Sequence, residues 1–285
     1  MRTRHRFIVL ATVGCLLAPG TAARGTDAGP PLFRGAAPVD TLVDVGGHRL
    51  HLRVRRGTRP ITVLFEAGGA ADLRSWGPVP ERLAERTKAT IATFDRAGLG
   101  ESDLGPMALT PGEEVRDIRR ALALLKLPPR TIVVGHSYGA MLALAQAAAF
   151  PKRVAGLVLV DPMNPRFIEA TGDFVKSTAP AIPHPETNRE HVIVRMARTL
   201  DSLAAALLAS EPKLDLPMVI ISAGEDWWGK PDIDAAWRRS HRAMADAAPN
   251  RRRVISKGSG HDIPHQDPEA IVSAVLSLLE GRGRE

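Results

Sequence analysis

The stretch that most constrains the fold runs from residue 131 to residue 150 and reads TIVVGHSYGAMLALAQAAAF. Its first residues are apolar and largely β-branched, which is typical of a strand buried on both faces. Its second half is rich in Ala, Leu and Met and predicts a helix. Ser137 stands between them, inside Gly135-His136-Ser137-Tyr138-Gly139. The stretch therefore predicts a tight strand–turn–helix unit with a serine at the turn.

The glycines on both sides of Ser137 let two backbone segments pass close together. The serine then takes a strained conformation that exposes its hydroxyl at the carboxyl end of the strand. The pattern G-x-S-x-G is a weak signal alone, because two glycines also ease an ordinary turn. Its position between a buried strand and a small-residue helix is the context that a nucleophile requires. We therefore interpret Ser137 as a nucleophile.

A serine hydroxyl needs a base to take its proton and a third group to orient that base. His261 is the candidate base, because it lies in a Gly-rich loop after the last predicted strand. Asp226, just after the predicted strand that ends near residue 221, is the predicted orienting acid. Asp161, at the end of the preceding strand, is its main alternative, and Glu225 also competes. The three groups thus occur in the order Ser, Asp, His at the ends of different strands.

The oxyanion formed in acyl transfer needs preorganised hydrogen-bond donors. One predicted donor is the backbone N–H of Tyr138, at the amino end of a helix whose dipole favours negative charge. The second is the backbone N–H of Gly69, in the loop after the third predicted strand. Paired glycines are common in turns, so this interpretation depends on the presence of the triad.

Large side chains near these positions are candidates for an apolar substrate pocket. Core packing explains each of them equally well when it is taken singly. Two of them directly follow the predicted acid and must lie near the catalytic loop. The candidates are Trp76, Met163, Phe167, Trp227 and Trp228.

The remaining pattern alternates strand-like and helix-like segments and predicts one α/β domain with a mostly parallel sheet of about eight strands and helices on both faces. A glycine-linked pair of alternating strands near residues 42–54 predicts an antiparallel edge. This alternation of strand-like and helix-like segments stops between residues 162 and 214, where prolines precede a helical stretch over about 188–208. We interpret residues 162–214 as a mainly helical lid, inserted into a core of residues 39–161 and 215–285.

Residues 1–23 combine three arginines, an apolar run and small residues before a cleavage site, which predicts a signal peptide and an exported protein, secreted or periplasmic. The eleven-residue apolar run is too short for a stable membrane anchor. A lipoprotein signal with Cys15 as the lipidated residue is the alternative. Residues 24–38 are Gly-, Pro- and Ala-rich and predict a linker. Two basic clusters, Arg238-Arg239 and Arg251-Arg252-Arg253, lack interleaved aromatic residues and do not indicate nucleic-acid binding.

The serine turn, the Ser, Asp, His order and the glycine loop after the third predicted strand carry a family resemblance. With these motifs the chain resembles the α/β-hydrolase superfamily, and within it the lid-bearing group of small-ester hydrolases, proline iminopeptidases and carbon–carbon bond hydrolases. The resemblance covers about residues 40–285. It implies that Asp95-Arg96-x-Gly-x-Gly-x-Ser102 is a structural turn near the site. Many relatives have His-Gly where this chain has Ala67-Gly68, and this difference alters the packing around the oxyanion hole more than its backbone donor.

The leading hypothesis is a serine hydrolase that cleaves a small ester, or an amide, through an acyl-enzyme without a metal or an organic cofactor. Ser at the turn argues against the dehalogenase and epoxide hydrolase branches, which resemble this fold but use aspartate. One alternative is a ligand-binding receptor or carrier with little turnover. Another is a cofactor-free haloperoxidase or carbon–carbon bond hydrolase, which uses the same three residues. The expected partner is a small-molecule substrate.

Overall fold

The computed structural model describes residues 37–178, 182–210 and 214–281. Their strands are β1 (Val39–Asp44), β2 (Arg49–Arg55), β3 (Thr62–Glu66), β4 (Thr90–Phe94), β5 (Thr131–His136), β6 (Val154–Val160), β7 (Met218–Ala223) and β8 (Arg251–Ser256). They form one sheet in the order β1-β2-β4-β3-β5-β6-β7-β8. β2 runs antiparallel to β1 and β4, and every other neighbouring pair is parallel. The predicted edge hairpin is confirmed.

The helices cover both faces of the sheet. They are α1 (Val79–Arg86), α2 (Pro111–Leu124), α3 (Tyr138–Ala149), α4 (Pro165–Thr178), α5 (Asn188–Ser210), α6 (Pro231–Asp246), α7 (Ile263–Gln266) and α8 (Pro268–Leu279). Buried residues of α3, α5 and α6 share one apolar cluster, and those of α1 and α8 share another on the opposite face. The predicted fold class, a mostly parallel eight-stranded sheet with helices on both faces, is confirmed.

The central strands are apolar on both faces because both faces are covered. Every residue of β3, β4, β5 and β7 is buried. Parallel strands of this kind end at a common edge of the sheet, where the loops that follow them converge. The segments that begin at residues 67, 137, 161 and 224 therefore meet at this edge.

Two helices, α4 and α5, are inserted between β6 and β7. The sequence predicts α5, but its prolines suggest that residues 162–187 contain no long helix, whereas α4 is helical over Pro165–Thr178. Proline is tolerated in the first turn of a helix, so Pro165 begins α4 rather than breaking it. Thr171 interrupts the helix with φ −132° and ψ 20°. The boundaries of the core and lid domains stay predictions.

Arg195 anchors α5 to the turn that follows β4. Its guanidinium donates to the carbonyl oxygen of Ala97 at 2.6 Å and lies 3.3 Å from the Glu114 carboxylate. These contacts fix the inserted helix against the turn that begins at Asp95.

The signal peptide at residues 1–23, with Cys15, and most of the linker at 24–38 lie outside the described residues. Within the described ranges, no helix has the length and apolar character that a bilayer span requires. Over the same ranges, no group of three or more His, Cys, Asp or Glu side chains could hold a metal ion.

Candidate active site

Ser137 occupies the sharp turn between β5 and α3, with φ 51° and ψ −120°. A Cβ atom on Gly139 would lie 2.2 Å from the carbonyl oxygen of Glu66, and one on Gly135 would lie 2.6 Å from the carbonyl oxygen of Gly139. Both contacts are with backbone atoms, so these positions admit only glycine. The close crossing of strand and helix leaves Ser137 in a strained conformation at the carboxyl edge of the sheet.

His261 follows β8 and contacts Asp161, the residue directly after β6. Its Nδ1 lies 2.7 Å from Asp161 Oδ2, and the Asp161 side chain is fully buried. Asp161 also takes a positive φ, 37°. Because an ionised carboxylate only accepts hydrogen bonds, Nδ1 carries the proton and Nε2 keeps its lone pair. His261 is thus held in the tautomer that a general base requires.

Asp161, not Asp226, orients His261, and the prediction of Asp226 as the orienting acid is wrong. Asp226 lies three residues beyond the end of β7, where the loop has already turned outward; its half-exposed carboxylate pairs with Arg238. Asp161 comes immediately after its strand and is held at the sheet edge. Glu225 is also exposed. Strand order alone leaves the acids after two neighbouring strands as candidates, and only the burial of each carboxylate distinguishes Asp161 from Asp226.

The carboxylate of Asp161 accepts four hydrogen bonds. Oδ2 accepts from Nδ1 of His261 and, at 3.0 Å, from Nε1 of Trp227. Oδ1 accepts from the backbone N–H of Ala223 at 2.9 Å and from Nε1 of Trp237 at 3.0 Å. Burial raises the pKa of this carboxyl, but the hydrogen bond from His261, nearby positive charge and the amide together lower the pKa to about 2. Asp161 is therefore ionised at neutral pH.

The loop after β3 lies directly against the serine turn. A Cβ on Gly68 would lie 3.3 Å from Cβ of Ser137 and 3.0 Å from Nδ1 of His136. The next residue is Gly69, the predicted oxyanion donor. The structure thus brings this loop beside Ser137, and the donor role of Gly69 stays a prediction.

Arg96 holds the carbonyl groups of the same loop. Its buried guanidinium donates to the carbonyl oxygens of Ala67, Gly68 and Gly69 and lies 5.3 Å from the centre of the Tyr138 ring. In a trans peptide the N–H points opposite to the C=O of the same unit. Because Arg96 holds the Gly68 carbonyl, it turns the Gly69 N–H away from itself.

Two further titratable groups are buried beside Ser137. Nε2 of His136 donates to the carbonyl oxygen of His261 at 3.0 Å, and burial, with the charge of His261, lowers the pKa of His136 to about 3. Glu66 ends β3 and accepts from Nε2 of Gln146 at 2.9 Å. Burial raises the pKa of Glu66 to about 8. Both side chains are therefore neutral at pH 7.

Three of the predicted pocket residues form a stack that begins at His261. The ring of Trp227 lies 3.9 Å from that of His261 with 21° between the planes, and Trp228 stacks on Trp227 at 4.2 Å. Phe167, on α4, continues the stack at 5.6 Å from Trp228. We call these four rings the aromatic column. It brings the inserted helix α4 into contact with the candidate site.

The other two predicted pocket residues lie on different sides of Ser137. The backbone N–H of Met163 donates to the Ser137 carbonyl at 3.1 Å, so this residue is next to the turn. Trp76 is fully buried in the core, edge-on to Phe65 at 5.0 Å and 6.2 Å from the ring of His136. Core packing accounts for Trp76.

Sequence reasoning missed the contacts that two residues, Trp237 and Arg96, make at this site. Trp237 lies on α6, and nothing in its sequence context marks a hydrogen bond to a carboxylate after β6. Arg96 lies inside the turn motif, which was interpreted as a structural turn because of its glycines. Its position as a charged residue between two apolar segments was the sequence feature that could have indicated a buried polar contact. Both residues act across the sheet edge, which a linear pattern does not reveal.

Comparison with known proteins gives a consistent family assignment. The sequence profile of the Alpha/beta hydrolase family matches residues 63–274. The uncharacterized protein YqjL of Bacillus subtilis (strain 168) is 25% identical over 245 residues, which cover 85% of this chain and 93% of YqjL. The fold is similar to that of the enol-lactonase from Burkholderia xenovorans LB400 (TM-score 0.63, 19% identity, 84% of this chain and 100% of that one). It is also similar to that of an esterase from Thermogutta terrifontis (TM-score 0.58, 23% identity, 88% and 100%). The chain belongs to the alpha/beta hydrolase family.

Proposed function

We propose that this chain is an exported serine hydrolase that cleaves a small carboxylic ester, or an amide, through an acyl-enzyme. Two observations carry the proposal: a strained serine at a strand–helix turn, and, at the same sheet edge, a histidine whose Nδ1 is held 2.7 Å from a buried carboxylate. The backbone of that histidine contacts His136, the residue before the serine, at 3.0 Å. The enol-lactonase and the esterase named above support a hydrolytic role, because lactonases and esterases both hydrolyse ester bonds.

In the proposed first half-reaction, Oγ of Ser137 attacks the ester carbonyl carbon while Nε2 of His261 takes the hydroxyl proton. The carbonyl oxygen becomes an oxyanion that accepts from the N–H groups of Gly69 and Tyr138. Asp161 stabilises the imidazolium through the Nδ1 hydrogen bond. Collapse of the intermediate breaks the bond to the alcohol, which leaves with the proton from His261.

In the second half-reaction a water molecule gives its proton to His261 and attacks the acyl carbon. The second tetrahedral intermediate collapses, the carboxylic acid is released and Oγ of Ser137 regains its proton. The two steps need no electron acceptor and no cofactor, so acid–base chemistry and oriented dipoles account for the whole cycle.

The aromatic column supports a small substrate. Phe167 is fully buried and Trp228 is half-buried, so these rings occupy the space between α4 and Trp227, which covers one face of His261. Because α4 supplies Phe167, we include residues 162–214 in the proposal as a lid over the site. Selectivity among acyl chains would then depend on the inserted helices.

The test is labelling of the purified protein with a fluorophosphonate, followed by a panel of p-nitrophenyl esters of increasing chain length. We expect stoichiometric labelling and turnover of the shorter esters, both abolished in Ser137→Ala and His261→Ala. Ser202→Ala and His265→Ala are matched controls, because both side chains are exposed and the imidazole of His265 pairs with Asp262. Turnover that persists in Ser137→Ala refutes the proposal, and a folded protein that resists labelling favours a binding role.

Export is tested separately in a bacterial host. We expect the amino terminus of the exported protein to begin just after residue 23, whereas a lipid-modified amino terminus at Cys15 would indicate the lipoprotein alternative. Retention of the full-length chain inside the cell contradicts both.

A further inference from the structure

Trp227 contacts both members of the acid–base pair at once. Its indole Nε1 donates to Oδ2 of Asp161 at 3.0 Å, the same oxygen that accepts from His261 at 2.7 Å. Its ring lies over the imidazole of His261, with the centroids 3.9 Å apart and the planes 21° from parallel. The carboxylate, the imidazole and the indole therefore form a closed group of three mutual contacts.

The indole is held in this position by its own loop. The backbone N–H groups of Trp227 and Trp228 both donate to Oδ1 of Asp234, at 3.1 and 3.0 Å. Asp234 lies in the first turn of α6 and is buried. The ring of Trp228 also stacks on Trp227 at 4.2 Å. A side chain fixed from its backbone and from one face is preorganised, so its contacts with the pair need no rearrangement.

We propose that Trp227 is a positioning residue for the acid–base pair rather than a wall of the substrate pocket; the proposal rests on the function proposed above. The indole N–H fixes the rotation of the Asp161 carboxylate and satisfies the second lone pair of Oδ2. The indole face packs on His261 and stabilises the imidazolium that forms when the serine proton is transferred.

Both effects follow from the chemistry of the indole. The face of an aromatic ring carries negative electrostatic potential, and tryptophan has the strongest attraction for a cation placed over it. The ring therefore favours protonated His261 over neutral His261. The N–H acts in the opposite direction, because a donor on Oδ2 weakens the pull of that oxygen on the proton of Nδ1. The two parts of one side chain should thus shift the titration of His261 in opposite directions.

Two substitutions separate these parts. Trp227→Gln keeps an N–H donor at a similar distance from Cα and removes the ring, whereas Trp227→Phe keeps a ring and removes the donor. We expect the midpoint of the His261 titration, followed by NMR, to fall by about half a pH unit in Trp227→Gln. In Trp227→Phe it should stay at or above the wild-type midpoint. The expected order is therefore Gln below wild type, and wild type no higher than Phe.

Kinetics provide a second readout. With an ester substrate, kcat should fall about tenfold in each variant while KM stays within twofold, because the indole acts on the reacting groups and not on bound substrate. A rise in KM at constant kcat would indicate a pocket wall and overturn the proposal. Equal midpoints in both variants and in the wild-type protein would overturn it as well.

The NMR titration needs no substrate, so the two proposals can fail separately. Loss of turnover and of fluorophosphonate labelling in Ser137→Ala tests the proposed function, and the order of the His261 midpoints tests Trp227. Thermal unfolding of both variants shows that they fold. Folded variants with unshifted midpoints refute the positioning role even if Ser137 is confirmed as the nucleophile.

Discussion

Replacing Asp161 by Asn is the most informative single substitution in this protein. The carboxylate accepts four hydrogen bonds, from two indoles, one backbone amide and His261. An Asn side chain has one oxygen, so its NH₂ group must face two of these donors. If the NH₂ group faces His261, Nδ1 becomes the acceptor and the proton moves to Nε2, where it blocks the uptake of the serine proton.

The wrong tautomer should lower kcat by about 10⁴-fold, or about 5.5 kcal/mol in the barrier. The indole N–H of Trp227 then faces the NH₂ group without an acceptor, which should also lower the free energy of unfolding by about 1–3 kcal/mol. Asp226→Asn is the matched comparison, because Asp226 is half-exposed and pairs only with half-exposed Arg238 in the described contacts. A surface ion pair of this kind contributes about 0–1 kcal/mol, and its loss should leave the rate unchanged.

The assay compares the rate of fluorophosphonate labelling in the wild-type protein and both Asn variants, since labelling requires the same base and no known substrate. Urea unfolding provides the stability difference. A slow Asp226→Asn variant beside a fast Asp161→Asn variant would refute the assignment of Asp161. Equal rates in all three proteins would refute the tautomer argument itself.

Three further predictions concern the supports of the site. Gly139→Ala should lower the free energy of unfolding by at least about 1–3 kcal/mol, because its Cβ would lie 2.2 Å from a backbone oxygen. Gly112→Ala, at an exposed position of α2, should be neutral or stabilising; a Gly112→Ala variant less stable than Gly139→Ala contradicts the argument. Arg96→Met should lower kcat by about 10²–10³-fold by freeing the three carbonyl groups, with partial recovery in Arg96→Lys; an unchanged rate in the Met variant is the contrary result. Glu66→Gln should be more stable than wild type at pH 8. The pKa of Glu66 is about 8 in the native state and 4.5 for an unperturbed glutamate, so raising the pH between these values favours unfolding of the wild type. Urea unfolding should show this advantage shrinking toward pH 4.5, and an advantage independent of pH contradicts the raised pKa of Glu66. The stability of the Gln variant itself should fall below pH 6.5, because the pKa of His136 is about 3 in the fold; a variant whose stability does not fall there contradicts the lowered pKa of His136.

The sheet and the serine turn could be predicted because their signals are local. β5 and α3 adjoin in sequence, and the glycines at 135 and 139 are required by contacts with β3 and within the turn itself. Alternation and apolar runs were enough to place all eight strands. The order of strands in the sheet then brought Ser137 and His261 to one edge without any information about side-chain contacts.

The acid and the inserted helix could not be predicted in the same way. Asp161 and Asp226 both follow strands at the correct edge, and the choice between them depends on the direction of each chain after its strand ends. In α4, Pro165 is compatible both with a break and with a first helical residue. Tertiary contacts, such as the packing of Phe167 against Trp237 with ring centroids 4.7 Å apart, stabilise the helix. This contact joins residues 70 positions apart, so it produces no periodic pattern in the sequence.

The aromatic column, together with Trp237 beside it, also determines how the protein absorbs and emits ultraviolet light. Three of the four tryptophans of the chain, Trp227, Trp228 and Trp237, lie within 5.5 Å of one another by ring centroid, and one of them covers His261. Rings this close couple their excited states, and a protonated imidazole quenches the emission of an indole in contact with it. Intrinsic fluorescence and near-ultraviolet circular dichroism therefore report largely on this cluster, in which Trp227 contacts His261. The tryptophan fluorescence of the unmodified protein would therefore change with the protonation of His261, without any attached dye.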